Sequence, residues 1–264
     1  MPEIFEYHQG NSPILISSPH DGSRIPAELL SRFTETGKCN SDCDWFVSKL
    51  YNFIKETDIS YIKAEYSRYV VDLNRSPEGE LLYPGLMETG ICPLNSFSGD
   101  PIYVKGKEPD ESEIQARIEN YWWPYHNHIR SELERIKKIH GQVILWDAHS
   151  ISGEVPLLFD GELPDLNFGT ANGASCHLSL VDELIKIAKQ NSDYSVVLNQ
   201  RFKGGYITRH YGDPANNINA IQLEINQSNY LGDSLPPLID EHKSPRLSQL
   251  LQQLIQLLVN MNSA

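Results

Sequence analysis

Gln142-Val143-Ile144-Leu145-Trp146-Asp147-Ala148-His149-Ser150 decides how this chain is read. The run 142–147 (QVILWD) is short and apolar, and it leads directly to a histidine flanked by small residues. Such a run reads as a buried strand that delivers a polar side chain at its end. Two other runs share the pattern. Residues 13–18 (PILISS) lead into Pro19-His20-Asp21-Gly22, a tight loop. Residues 220–225 alternate, with Ile221, Leu223 and Ile225 on one side and Gln222 and Glu224 on the other. If the three strands run parallel, His20, His149 and Glu224 converge at one edge of a sheet. That edge is where open α/β sheets bind ligands.

Outward from these strands, short apolar runs alternate with longer helical patterns, the signature of a layered α/β domain, and the length suits one large domain or two small ones. Helices are expected at 42–56, 111–140 with an interruption near Pro124, 178–190 and 244–261. In the first, Phe46, Leu50, Phe53 and Ile54 fall on one face. Residues 61–64 and 69–73 read as strands. The Gly-, Pro- and Ser-rich stretch 74–109 and the stretch 151–175 read as irregular, and 204–212 as a loop carrying Arg209 and His210. Irregular segments this long in a compact fold commonly carry function.

Bulk properties exclude several functions. The chain has 264 residues, enough to bury a substantial core, and its formal net charge is −13. That balance argues against nucleic acid or an anionic membrane as partner, since both need a basic footprint. An anionic small molecule would have to be met by a local basic pocket. No stretch is apolar enough to span a bilayer, and MPEIFEYHQG has neither a basic segment nor an apolar core, so a secretory signal is not expected. Cys39, Cys43, Cys92 and Cys176 form no CxxC pair, and a reducing cytoplasm is the expected setting. A monomer or small homo-oligomer is compatible with all of this.

The reactive residues point to a metal. Two histidines and a carboxylate suffice to hold a catalytic zinc with one position left for water. Either histidine alone is more often a hydrogen-bonded structural residue; the pair, each following an apolar strand, favours the metal. Asp147 stands two residues before His149 and either orients that imidazole or caps a neighbouring helix. Arg75 and Arg209 can each grip a carboxylate bidentately, although a surface salt bridge is the commoner role for such residues. GxSxG, GxGxxG, GxxxxGK[ST] and HExxH motifs are absent, so a serine-hydrolase elbow, a nucleotide loop and a zinc helix are not signalled.

The segments SPHDGSRIP, DCDWFVSKLY, AEYSRYVVDLNR, LWDAHSI, LFDGELPDLNFGTANGASC, QRFKGGYITRHYG and QLEINQ occur in this order from residue 18 to residue 227. Together they resemble the N-formylglutamate amidohydrolase family. The resemblance implies a three-layer α/β sandwich with a mixed central sheet, similar to zinc exopeptidases and zinc amidases. It implies hydrolysis of N-formyl-L-glutamate, a small acidic substrate, to formate and L-glutamate in histidine degradation. It further implies Zn2+, or another divalent metal, on His20, Asp44 and His149, with Asp42 as the rival for the middle ligand. Glu224 then resembles the general base. Asn74 and Arg75 resemble a pair that holds a substrate carboxylate, with Arg209 as a second grip. Arg209 or His210 would stabilise the oxyanion. The chain has PHDG where the family pattern is PHAG, so Asp21 adds a charge that either tunes the site or binds the metal itself. The alternatives are a zinc amidase acting on another N-acyl amino acid or peptide, and a metal-free relative that only binds an acidic ligand.

Overall fold

The computed structural model describes residues 3–82, 88–234 and 236–261. Its strands are β1 (Phe5–His8), β2 (Ile14–Ser18), β3 (Ser60–Ala64), β4 (Val143–Ile151), β5 (Leu166–Gly169), β6 (Val196–Leu198) and β7 (Ile218–Asn226). Its α-helices are α1 (Ala27–Leu30), α2 (Glu35–Cys39), α3 (Val47–Leu50), α4 (Glu111–Arg117), α5 (Trp123–His140), α6 (Leu178–Gln190), α7 (Tyr206–Tyr211) and α8 (Ser244–Met261). Among the described residues the strands form a seven-stranded sheet in the order β1-β3-β2-β4-β7-β5-β6. β2, β4 and β7 are mutually parallel neighbours, as are β2 with β3 and β5 with β6. β1 on β3 and β5 on β7 run antiparallel, so the sheet is mixed. None of the described helices is long and apolar enough to cross a membrane.

Side-chain alternation gives the sheet two apolar faces. Ile14, Ile16, Ile144, Trp146, Ile221 and Leu223 pack on one face with Val47 and Leu50 of α3, Leu180, Val181 and Leu184 of α6, and Leu247, Leu251 and Leu254 of α8. Leu15, Val143, Leu145 and Ala220 pack on the other with Ile129, Leu133 and Ile136 of α5 and Ile207 of α7. Sheet between two helix layers is the expected α/β arrangement. The leucines of α8 recur at three- and four-residue spacing, which puts them on the stripe that meets the sheet.

The second face changes character along its length. On β4 it runs Val143, Leu145, Asp147, His149, and on the adjoining β7 it runs Ala220, Gln222, Glu224. The first halves lie in the core and the last halves are polar and buried. The β4–β7 register sets Asp147 against Gln222 and His149 against Glu224.

Several expectations are corrected. The range 42–56 is not one helix: α3 covers four residues, a 3₁₀ turn covers Asn52–Glu56, and Phe46 sits at φ 60°. Helical pairing cannot begin earlier, because the Asp44 N–H donates to the His20 carbonyl and its side chain is drawn to the end of β4. The range 69–73 is not a strand. Its polar groups bond locally and to other segments: Val70 N–H to Ser67, Asp72 N–H to Ile91, and the Val70 carbonyl to Arg117. The break expected near Pro124 is a π turn at Ile118–Trp122. Residues 204–212 are not all loop, since α7 occupies six of them, and the stretch 151–175 contains β5. β4 also runs four residues past the expected end at 147, which puts His149 on the strand itself. Residues 83–87, within the irregular stretch 74–109, lie outside the described residues.

Trp146 is fully buried and donates its indole N–H to the Tyr51 hydroxyl at 2.8 Å. Trp146→Ala is therefore expected to destabilise the fold by about 3–5 kcal/mol, read as a lower denaturant midpoint in an unfolding titration.

Candidate metal centre and active-site pocket

β2, β4 and β7 end side by side, and their carboxyl ends bring His20, His149 and Glu224 together as expected. Asp44 joins them from the turn before α3. Its N–H donates to the His20 carbonyl at 3.0 Å, and its Oδ2 accepts from the Ser150 N–H at 3.1 Å, so it ties the end of β2 to the end of β4. One ligand atom from each of His20, Asp44 and His149 lies within 4.8 Å of the others, and all three residues are buried. The rival Asp42 points elsewhere: its Oδ2 accepts the Phe97 N–H at 2.8 Å and so anchors the 96–99 turn. Asp21 accepts the Ser48 N–H at 3.3 Å, at the start of α3, and is not part of the group.

Each imidazole lies between two carboxylates. His20 Nε2 donates to Asp72 Oδ1 at 2.7 Å, while its Nδ1 lies 3.8 Å from Asp44 Oδ2. His149 Nε2 lies 3.1 Å from Asp147 Oδ1, and its Nδ1 is 3.0 Å from Asp44 Oδ2. Each ring thus turns one nitrogen to a carboxylate behind it and the other towards Asp44. This is the arrangement in which a carboxylate fixes the tautomer and strengthens a metal-binding imidazole. Asp147 lies beside the His149 imidazole at ion-pair distance, while its Oδ2 accepts from the Thr208 hydroxyl at 3.2 Å. Two ring nitrogens and a carboxylate oxygen are also the donor set that catalytic zinc sites use.

The electrostatics follow from burial and crowding. Burial, then the Arg68 guanidinium, lowers the pKa of His20 and favours its neutral, ligating form. Burial works against the ionised Asp72, but His20 and Arg68 outweigh it and hold its pKa well below the usual range. Burial alone would lower His149 too, yet Asp147 and Asp44 raise it well above an ordinary imidazole. Glu224 is pushed up to about 8, chiefly by burial.

Arg68 is a residue that the sequence reading assigned no role. It is 8% exposed, places Nη2 2.5 Å from His20 Nδ1 and 3.5 Å from Asp72 Oδ2, and lines the pocket. Asp72 was missed as well. Both bracket the apolar run Tyr69-Val70-Val71, and a charge pair four residues apart around such a run was the available signal. Arg201 is a third omission on the pocket wall.

The remaining expected residues divide. Arg75 lines the pocket, where it donates from Nε to the Thr89 carbonyl at 3.0 Å and from Nη1 to the Asn74 carbonyl at 3.1 Å. Asn74 also lines it, but its amide works on the protein: Oδ1 accepts the Ile207 N–H at 2.8 Å, and Nδ2 sits 2.9 Å from His149 Nε2. Gly205 is required there, because a Cβ on it would lie 2.3 Å from Asn74 Nδ2. Arg209 and His210 are not brought to the site. They lie on the exposed side of α7, whose buried side presents Ile207, Thr208 and Tyr211. Arg209 Nε bonds the Gly204 carbonyl at 2.8 Å, and His210 stacks on Tyr206. Thr208 is the residue of α7 that reaches inward, donating to Asp147 Oδ2 at 3.2 Å.

Residues 12–231 match the sequence model of a family described as N-formylglutamate amidohydrolase. An N-formylglutamate deformylase of Pseudomonas putida is 43% identical over 259 residues, 98% of this chain and 97% of that protein. An N-formylglutamate deformylase of Pseudomonas aeruginosa is 43% identical over 236 residues, 89% of this chain and 88% of its own. Among solved structures, an N-formylglutamate amidohydrolase from Ralstonia eutropha JMP134 superposes with a TM-score of 0.83 at 22% identity, covering 98% of each chain. A gene product of Agrobacterium tumefaciens superposes with a TM-score of 0.69 at 17% identity, over 98% of this chain and 96% of the other. These two likenesses are of fold.

Asp72→Asn keeps the shape of the side chain that holds His20 Nε2 and removes its charge. It is expected to weaken binding of a divalent metal ion by roughly 10–100-fold, measured by competition against a chromogenic chelator.

Proposed function

The chain belongs to the N-formylglutamate amidohydrolase family, and from that premise we propose that it hydrolyses N-formyl-L-glutamate to formate and L-glutamate. The observation that carries this reading is the meeting of the His20, Asp44 and His149 group with Glu224, Arg68 and Arg75 in one pocket. The reading includes Zn2+ as the expected ion, another divalent metal being compatible with the same donors. It also includes the single-domain organisation of 1–264, the kinship of the fold with zinc exopeptidases and zinc amidases, and a place in histidine degradation in the cytoplasm.

A divalent metal bound there would polarise the formyl oxygen and make water a nucleophile at neutral pH. The side chains supply the rest. Glu224 stands across the β4–β7 ladder from His149 and is the general base. Its burial makes the carboxylate a stronger base than one in water. It takes the proton from the water that attacks the formyl carbon, then gives it to the departing amine nitrogen as the C–N bond breaks. Gln222 donates to Glu224 Oε2 at 3.1 Å and orients the carboxylate. Arg68 is the donor nearest the His20 side of the centre, and we assign it the stabilisation of the developing oxyanion in place of Arg209 or His210.

Arg75 takes the α-carboxylate of the leaving glutamate. Its bonds to Thr89 and Asn74 hold the guanidinium rigid and use three of its five N–H donors, leaving two for a ligand. Asn74 acts behind it as a positioning residue for His149.

Formate release from N-formyl-L-glutamate is expected to fall to background after chelation and to return when Zn2+ is added back. Release that survives complete metal removal would overturn the metal-dependent reading. Glu224→Gln is expected to retain zinc and to lose roughly 10²–10⁴-fold in kcat, and near-normal turnover would exclude Glu224 as the base.

A further inference from the structure

We propose that Arg201 reads the side-chain carboxylate of the substrate and so sets the preference for glutamate over neutral N-formyl amino acids; the proposal rests on the deformylase reading above. A substrate with two carboxylates needs a cationic grip for each, and Arg209 is not among the described residues that line the pocket. Arg75 and Arg201 line the same pocket but are held by different segments of the chain. Arg75 directly follows Asn74, whose amide touches His149, so it is tied to the metal centre. Arg201 is fastened to a separate small apolar cluster. Its Nε donates to the Leu158 carbonyl at 2.6 Å, and its guanidinium lies 5.2 Å from the centre of the Phe202 ring. Leu158 and Phe202 pack with Ile151, Val155 and Leu163, beyond the end of β4.

This division matches the substrate. The α-carboxylate is joined to the carbon that bears the scissile nitrogen, so it must be gripped close to the metal group. The side-chain carboxylate lies at the far end of an apolar linker, which the Leu158 and Ile151 side of the pocket suits. The guanidinium is pre-organised by the Leu158 carbonyl and the Phe202 ring, so little rotamer freedom remains to be lost on binding. Glu88, on the same wall, turns Oε2 to the Leu82 N–H.

The test compares wild type, Arg201→Gln and Arg201→Lys on N-formyl-L-glutamate and N-formyl-L-glutamine, with circular dichroism to confirm folding. Arg201→Gln is expected to lose roughly 100-fold in kcat/KM on the glutamate substrate and to change little on the glutamine one, so that the preference collapses. Arg201→Lys should keep part of it. An unchanged preference in Arg201→Gln, or an equal loss on both substrates, would overturn the proposal and leave the deformylase reading standing. Should wild type turn over neither substrate, that reading falls instead, and calorimetric binding of L-glutamate against L-glutamine decides Arg201. A wild-type preference for L-glutamate that Arg201→Gln abolishes supports the assignment; no such preference, or one that Arg201→Gln retains, overturns it.

Discussion

Four carboxylates, Asp44, Asp72, Asp147 and Glu224, are buried together at the carboxyl end of the sheet, none more than 7% exposed. Buried negative charge is costly unless positive charge is held among it. The local features of the site answer that demand. Arg68 lies against Asp72 and His20, His149 is drawn towards its protonated form between Asp44 and Asp147, and Glu224 is pushed towards its neutral form. A divalent cation among His20, Asp44 and His149 would meet the same demand more completely, and those three residues have the donors to hold one.

The sheet makes this concentration of charge tolerable. β4 and β7 spend their first halves on the apolar core beneath α5 and their last halves on the site beneath α7. The same nine-residue strand therefore secures the fold at one end and presents chemistry at the other. Since β4 is buried along its whole length, its neighbours position Asp147 and His149 with little freedom. The pocket wall is built differently. Arg75 and Arg201 come from irregular segments, the one after Leu73 and the one after β6, each held by bonds to main-chain carbonyls. Rigid strands carry the centre and loops carry the recognition, a common division in α/β folds.

What was legible in the sequence had a local cause. The apolar runs 13–18, 142–147 and 220–225 are strands because each must be buried, and the polar residues at their ends were visible for the same reason. The alternation of Ile221, Leu223 and Ile225 with Gln222 and Glu224 placed Glu224 correctly on the site face. What misled also had a cause. Residues 42–46 and 69–73 have helix- and strand-like composition, yet Asp44, Arg68 and Asp72 are pulled out of regular pairing by partners far away in sequence. Residues 204–212 looked like loop because of their glycines, while six of them form a helix that turns Thr208 inward and Arg209 outward.

The sequence by itself determined the α/β layering, the strands that end in His20 and His149, and the kinship of the whole chain, because apolar period and motif order are properties of neighbouring residues. Only the tertiary structure decided which aspartate faces the histidines, which stand behind them, and which arginines reach the pocket. Asp42 and Asp44, or Arg201 and Arg209, are close in sequence and alike in chemistry. What separates them is the direction in which a turn or a helix points each side chain, and that direction comes from packing across the whole fold.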